Sequence, residues 1–215
     1  IGTTSAPPAV NALAQRLRAE LGDGAVVTDE AARRTYECDG LAHYRAIPAL
    51  VVLPETAEQV QAVVRACADD GVPWVARGSG TGLSGGALPV ADGVLIVTSR
   101  MRRIIELDLP NARAIVEPGV VNLAISQAVA HAGFYYAPDP SSQIACSIGG
   151  NVAENSGGVH CLKYGMTTNN VLGLEMVLMT GEVLRIGGKH LDSGGYDLLG
   201  IVTGSEGLLG VVTEI

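Results

Sequence analysis

A chain of 215 residues suits one large domain or two small ones, and 47% hydrophobic with only 17% charged residues supplies a sizeable core. The formal net charge of −8 argues against nucleic acid or an anionic membrane surface as a partner. No apolar run reaches the roughly 20 residues of a spanning helix, the N-terminus lacks the apolar stretch of a secretory signal, and none of the four cysteines forms a Cys-x-x-Cys pair, so the chain reads as cytoplasmic with reduced thiols.

Ser5-Ala-Pro-Pro reads as a helix start, after which Val10, Leu13, Leu17 and Leu21 share one face and Gly22 supplies a stop. Residues 23–47 are polar and mixed, with a short helix expected near Asp29–Tyr36. Residues 1–47 together read as an N-terminal helical extension ahead of a domain at 48–215. Leu50–Leu53 is a buried strand. Thr56-x-x-Gln59 is a capping box, and the helix it opens turns Val60, Val63, Val64 and Cys67 inward until Gly71 ends it. Val72–Ala76 then completes a β–α–β unit. The run RGSGTGLSGG (Arg77–Gly86) leads to strands at Gly93–Thr98 and Ala114–Glu117, and Val121–Ala132 forms a short helix closed by Gly133. After a long loop at 138–158, Leu172–Met179 and Glu182–Ile186 form a hairpin turning at Thr180-Gly181. A short helix near Asp197–Val202 precedes GSEGLLG and a strand at Val211–Ile215. That strand stops without a turn or a polar tail, so the chain reads as the N-terminal piece of a longer protein.

The 28 glycines exceed the usual share of about 7%, and they cluster at 78–86, 149–158 and 204–210. Gly80-x-Gly82-x-x-Gly85 matches the dinucleotide fingerprint in letters, but Pro89 and Asp92-Gly93 block the helix that such a motif must open. The loop still has the chemistry of an anion nest. Successive small residues let backbone N–H groups converge, and glycine tolerates the positive φ this requires. Ser79, Thr81 and Ser84 add hydroxyls, and Arg77 is the nearby cation. A plain hairpin between the flanking strands is the competing explanation, but a hairpin needs only two to five residues, and the excess length favours a ligand.

PDPSSQIACSIGGNVAENSGG (138–158) shows neither helical nor strand period, so its backbone polar groups need other partners. A loop of this length is usually functional or disordered. Ile144, Ile148 and Val152 anchor it, which favours a backbone wrapped around a large flat cofactor. His160-Cys161 lies in what reads as an extended segment, where adjacent side chains face opposite ways, so a shared metal is not expected. His43, His131 and His190 have no acidic or thiol companion at ligand spacing. Ser141-Ser142 lacks a nucleophile elbow, and core packing accounts for Trp74. No metal site is expected.

RGSGTGLSGG, PDPSS, SIGGNVAENSGG, KYG (Lys163–Gly165) and GSEGLLGVVTE (Gly204–Glu214) occur in an order and spacing that resemble the FAD-binding domain of the vanillyl-alcohol-oxidase superfamily. Within it they are similar to the FAD-linked 2-hydroxyacid dehydrogenases, the branch that includes the FAD-linked subunits of bacterial glycolate oxidases. The resemblance runs from about Leu50 to Ile215. It implies an α+β fold in two parts, a small β–α–β part and a larger mixed or antiparallel sheet flanked by helices, with FAD between them. By motif position, Arg77, Gly78, Ser79, Gly80, Thr81 and Gly82 would cradle the pyrophosphate. Pro138, Asp139, Ser142 and Ile144 would run beside the flavin and ribityl chain. Gly149, Gly150 and the turn Glu154, Asn155, Ser156, Gly157 would continue that wall. Glu206, Gly207, Gly210, Val211 and Val212 would meet the adenosine end through backbone contacts.

Some relatives carry a flavin-linking histidine where this chain has Thr81, so FAD is expected to be non-covalent. The resemblance places the carboxylate clamp, catalytic histidine and any metal site in a C-terminal substrate domain outside this sequence. No catalytic residue is assigned, and the 215 residues alone are expected to be inactive. The implied reaction is hydride transfer from a small 2-hydroxy acid, glycolate or alternatively D-lactate, to flavin. Electrons would leave to an iron–sulfur subunit beside a second flavin subunit, partners through which the protein could meet a membrane. A non-catalytic flavin-binding electron-transfer subunit and an FAD oxidase acting on a larger alcohol remain as other classes.

Overall fold

The computed structural model describes residues 8–190 and 195–215, and the Ser5-Ala-Pro start lies outside the described residues. Helix α1 (Pro8–Leu21) turns Leu13 and Leu17 fully inward. A two-residue strand β1 (Val26–Val27) and the short α2 (Glu30–Arg34) follow, the latter capped by the Asp29 side chain accepting from Ala32 N–H. Strand β2 (Leu50–Val52), helix α3 (Ala57–Asp70), strand β3 (Trp74–Arg77) and strand β4 (Val94–Val97) complete the first part. The Thr56 hydroxyl caps α3 by accepting from Gln59 N–H, while the Gln59 side chain accepts from Glu55 N–H instead of closing a reciprocal box. Gly71 ends the helix at φ 64°.

The first sheet has the order β1-β2-β4-β3, with β4 lying between β2 and β3 and parallel to both. Strands buried on both faces read as unbroken apolar runs, and Leu50–Val52 and Val94–Val97 do so. Leu13 and Leu17 of α1 and Val60, Val63 and Val64 of α3 share one core with Leu50, Val52, Val94 and Ile96. Because β1 pairs with β2 and α1 enters this core, packing runs without a break across residue 47. The parallel register of β3 and β4 also removes the hairpin explanation of the glycine loop. Trp74 pairs with Val94 and Arg77 with Val97, so residues 78–93 must carry the chain back along the sheet.

The second part opens with an antiparallel hairpin, β5 (Ile104–Asp108) and β6 (Arg113–Val116). Helices α4 (Asn122–Val129), α5 (Ile148–Glu154) and α6 (Cys161–Tyr164) follow. Strands β7 (Gly173–Leu178), β8 (Val183–Gly187) and β9 (Gly210–Glu214) form an antiparallel sheet ordered β8-β7-β9, with α7 (Leu198–Val202) between β8 and β9 in sequence. Ile215 exchanges both backbone hydrogen bonds with Val116, each 2.9 Å, which joins this sheet to the β5–β6 hairpin.

The architecture is α+β, with helices and mixed sheets in two parts. Three local features differ from the expectations. Residues 148–154 of the supposed irregular run form α5, burying Ile148, Asn151 and Val152 at helical spacing. His160 is not extended but sits in αR geometry (φ −82°, ψ −4°) at the start of α6. Strand β5, absent from the expectations, alternates partly buried and exposed residues beside β6. Among the described residues, no helix is long and apolar enough to cross a membrane.

Candidate cofactor-binding cleft

A cavity of about 580 Å³ lies between the two parts of the fold. Its floor is the 77–87 loop and the start of α5, and its far wall comes from residues 205–212. Of the residues singled out by sequence, Arg77 through Gly82, Ser142, Gly149, Gly150, Glu154, Ser156, Glu206, Gly207 and Gly210 through Val212 all line it. Pro138, Asp139, Ile144, Asn155 and Gly157 do not. Ile144 is 75% exposed. Asn155 adopts φ 48° as the C-cap of α5 and accepts from Thr168 N–H, and Gly157 packs against Cys161 Sγ. Sequence patterns missed Ser147, Asn151 and Ser205, which also line the cavity; a helix over 148–154 was the signal that would have placed the first two.

Close packing explains several of the small residues. Gly78 lies so near Ser147 that a Cβ would overlap the Ser147 hydroxyl, and that hydroxyl accepts from Ser79 N–H at 3.3 Å. At Gly149 a Cβ would stand 2.6 Å from the Pro118 ring. The glycine loop is thus seated on the beginning of α5. Gly80 has φ 68° and lies against the Arg77 guanidinium. Among the described residues, the N–H groups of Gly80, Thr81, Gly82 and Leu83 have no acceptor. Consecutive unpartnered backbone donors at a cavity wall are the chemistry of an anion nest.

Arg77 lines the cleft and is also anchored away from it. Its Nη1 donates to Cys38 O at 2.7 Å and Ala87 O at 3.2 Å, and the guanidinium lies 5.9 Å from the Tyr36 ring centre. Burial pulls its pKa below the usual guanidinium value, against opposing contributions from Cys38, Asp39 and Tyr36.

Two carboxylates stand against residues 82–86 of the glycine loop. Ser84 Oγ donates to Glu154 at 2.7 Å, and a Cβ at Gly86 would lie 3.0 Å from Glu206 Oε2 and 3.1 Å from Glu154 Oε1. Glu206 holds a left-handed φ of 55°, with its N–H on Ala153 O at 2.9 Å. Such strain persists only where the surroundings impose it, and it clusters at binding sites. Asp139 lies outside the lining of the cleft. Its carboxylate accepts from His160 N–H at 3.2 Å and meets His160 Nδ1 at 2.6 Å. Burial alone would raise the Asp139 carboxyl, but these bonds outweigh it and hold the pKa below the usual range.

A cleft of about 580 Å³ whose floor carries N–H groups with no acceptor among the described residues suits a ligand with a pyrophosphate. Residues 48–187 match the FAD-binding domain family. The chain belongs to that family. The family expected from the five motifs is therefore the one found.

Over 180 residues the chain is 61% identical to the glycolate oxidase subunit GlcD of Escherichia coli (strain K12), covering 84% of this chain and 36% of that protein. It is 44% identical to the Bacillus subtilis (strain 168) glycolate oxidase subunit GlcD over 185 residues, 86% of this chain and 39% of that one. To the D-lactate dehydrogenase of Archaeoglobus fulgidus it is 40% identical over 166 residues, 77% and 37% of the two chains. The chain spans well under half the length of these relatives. Among solved structures, an alkyldihydroxyacetonephosphate synthase superposes with a TM-score of 0.87 over 100% of this chain and 41% of that one. At 24% identity that likeness concerns the fold alone. The residues that line the cleft fit the family's cofactor: the nest offers donors to a pyrophosphate, and the run of glycines and small hydroxyl residues from Gly78 to Gly82 lets a ligand approach the backbone closely.

Proposed function

We propose that the full-length protein is an FAD-dependent oxidoreductase that converts a small 2-hydroxy acid to the 2-oxo acid, with glycolate as the first substrate and D-lactate as the alternative. The observation that carries the reading is the 61% identity to a glycolate oxidase subunit over a region that includes the whole cleft floor. FAD, when bound, supplies the acceptor for the hydride removed from the substrate carbon.

This chain's own residues bind and orient. The N–H groups of Gly80 to Leu83 oppose the pyrophosphate charge, with the Arg77 guanidinium beside Gly80 and anchored through Nη1 to carbonyls. Glu206 offers an acceptor at the adenosine end, and Glu154, held by the Ser84 hydroxyl, continues the wall beside the ribityl chain. Ser142, Gly149 and Gly150 form a wall low enough for close approach of the ribityl chain. Thr81 carries a hydroxyl that forms no histidyl-type link, so the cofactor is held non-covalently. The base that takes the substrate's hydroxyl proton belongs to the remainder of the full-length protein, and iron–sulfur and second flavin subunits are the electron-accepting partners.

The test is to purify the full-length protein with FAD and assay 2-hydroxy acids against an artificial electron acceptor. Turnover of glycolate supports the reading, and a clear preference for D-lactate selects the alternative. Stoichiometric FAD with no turnover of any 2-hydroxy acid overturns the enzyme assignment in favour of an electron carrier.

A further inference from the structure

Residues 36–41 belong to no strand or helix, lie outside all five motifs and line no part of the cleft. They nevertheless grip the glycine loop from its outer face at three points. Asp39 is 8% exposed, and its Oδ2 accepts from Gly85 N–H at 3.1 Å while Oδ1 accepts from Leu41 N–H at 2.8 Å. Gly40 N–H donates to Gly82 O at 2.9 Å. The Arg77 guanidinium crosses the same junction to Cys38 O.

Planar trans peptides convert this grip into orientation. In such a unit the C=O of one residue and the N–H of the next point in opposite directions. A Cβ built on Gly40 would stand 2.8 Å from both Thr81 O and Gly82 O, so both carbonyls face Gly40 on the outer side. The N–H groups of Gly82 and Leu83, the other halves of those two peptides, therefore face the cleft, and both residues line it. They are among the donors with no acceptor in the described residues. A loop held this way meets an anion with its donors already turned inward, and ordering that is complete before binding is not subtracted from affinity.

We propose that Asp39 and Gly40 are positioning residues for the cofactor: from outside the cleft they lock the outer face of the 77–87 loop so that its peptide N–H groups form the pyrophosphate nest. The inference rests on the reading that this loop receives the pyrophosphate. Glycine at position 40 is then required by the approach of two carbonyls. Asp39 is required because two N–H groups on either side of it need two separate acceptor oxygens.

FAD titration of apoprotein prepared from the full-length chain tests this, with Asp39→Ala, Asp39→Asn, Gly40→Ala and Gly80→Val compared with wild type. Circular dichroism and the apoprotein melting temperature establish that each variant is folded at the assay temperature. Asp39→Ala and Gly40→Ala are expected to weaken FAD binding at least tenfold. Asp39→Asn, which keeps one acceptor oxygen, is expected to recover part of the loss, a graded rescue that a merely structural defect would not give. Where Asp39→Ala fails to fold, Asp39→Asn and Gly40→Ala carry the test. Affinities within threefold of wild type for folded Asp39 and Gly40 variants, with Gly80→Val impaired, would overturn the inference and leave the loop assignment intact. Tighter binding by Asp39→Ala would also overturn it, since the carboxylate would then act only by repelling phosphate. If Gly80→Val also binds as wild type, the loop is not the pyrophosphate site at all.

Discussion

Replacing Gly80 by valine should weaken FAD binding by about 30-fold, and the structure gives two additive reasons. At φ 68° Gly80 occupies the left-handed region, where a side chain costs roughly 1–2 kcal/mol. A Cβ there also overlaps the Arg77 guanidinium, which must leave Cys38 O and Ala87 O. Hydrogen bonds from a charged donor contribute about 1.5–3 kcal/mol each, so the lower end of the combined cost is about 4 kcal/mol. If relaxation of the long Arg77 side chain recovers half, about 2 kcal/mol remains against the binding-competent loop, or roughly 30-fold in Kd.

The assay is quenching of flavin fluorescence during titration of the full-length apoprotein, with circular dichroism to confirm folding. The control must be chosen from structure. Gly187 lies outside all five motifs, yet its φ of 68° and its contact with Leu172 O mean that a side chain there would damage the β7–β8 pair. Gly24 has no heavy atom within 4 Å of a built Cβ and no left-handed φ, so Gly24→Ala should leave affinity unchanged. A folded Gly80→Val protein that binds FAD within threefold of wild type would refute the reasoning.

Three further outcomes can be checked. With FAD held non-covalently, as proposed for the loop that carries Thr81, acid or heat denaturation of the holoprotein should release all flavin into the supernatant, and colour retained by the precipitate would contradict this. The Asp139 carboxyl is held below its usual pKa, so its contribution to stability is present above the unfolded value near 3.9 and is lost as pH falls through the folded pKa. Asp139→Asn should therefore lower the melting temperature at pH 7, with the gap to wild type closing below about pH 4; a gap that persists there would mean the bonds to His160 do not depend on the charge. Burial pushes the Cys67 thiol up to about 12, so peptide mapping after alkylation of native protein at pH 8 should leave Cys67 unmodified.

Much of the first part of the fold was legible because its elements carry clean periods. Val60, Val63, Val64 and Cys67 mark one face of α3, and Leu50–Val52 and Val94–Val97 are unbroken apolar runs. Their arrangement was not legible, because the parallel pairing of Trp74 with Val94 depends on a crossover that no local pattern records. Helix α5 was hidden for a different reason. Ile148, Asn151 and Val152 do fall at helical spacing, but Gly149 and Gly150 lower helix propensity, and only packing against Pro118 and Asn122 settles the matter.

The same asymmetry runs through the cleft. Residues proposed to meet the cofactor through their backbone must be small, so Gly78, Gly80, Gly82 and Gly207, all of which line the cleft, stand out in the sequence by composition alone. The groups that aim those backbones need no unusual composition. Asp39 looks like any polar residue in a mixed segment, and Gly40 like any loop glycine, until Gly82 O is found 2.9 Å from Gly40 N. Arg77 shows both faces at once: it lines the cleft, as a cation inside a phosphate-type loop suggests, while its Nη1 reaches back to the carbonyls of Cys38 and Ala87. A glycine motif therefore reports the face a loop turns to its ligand, while the face it turns to the protein, where orientation is decided, depends on pairs some 40 residues apart and becomes visible only when those pairs meet.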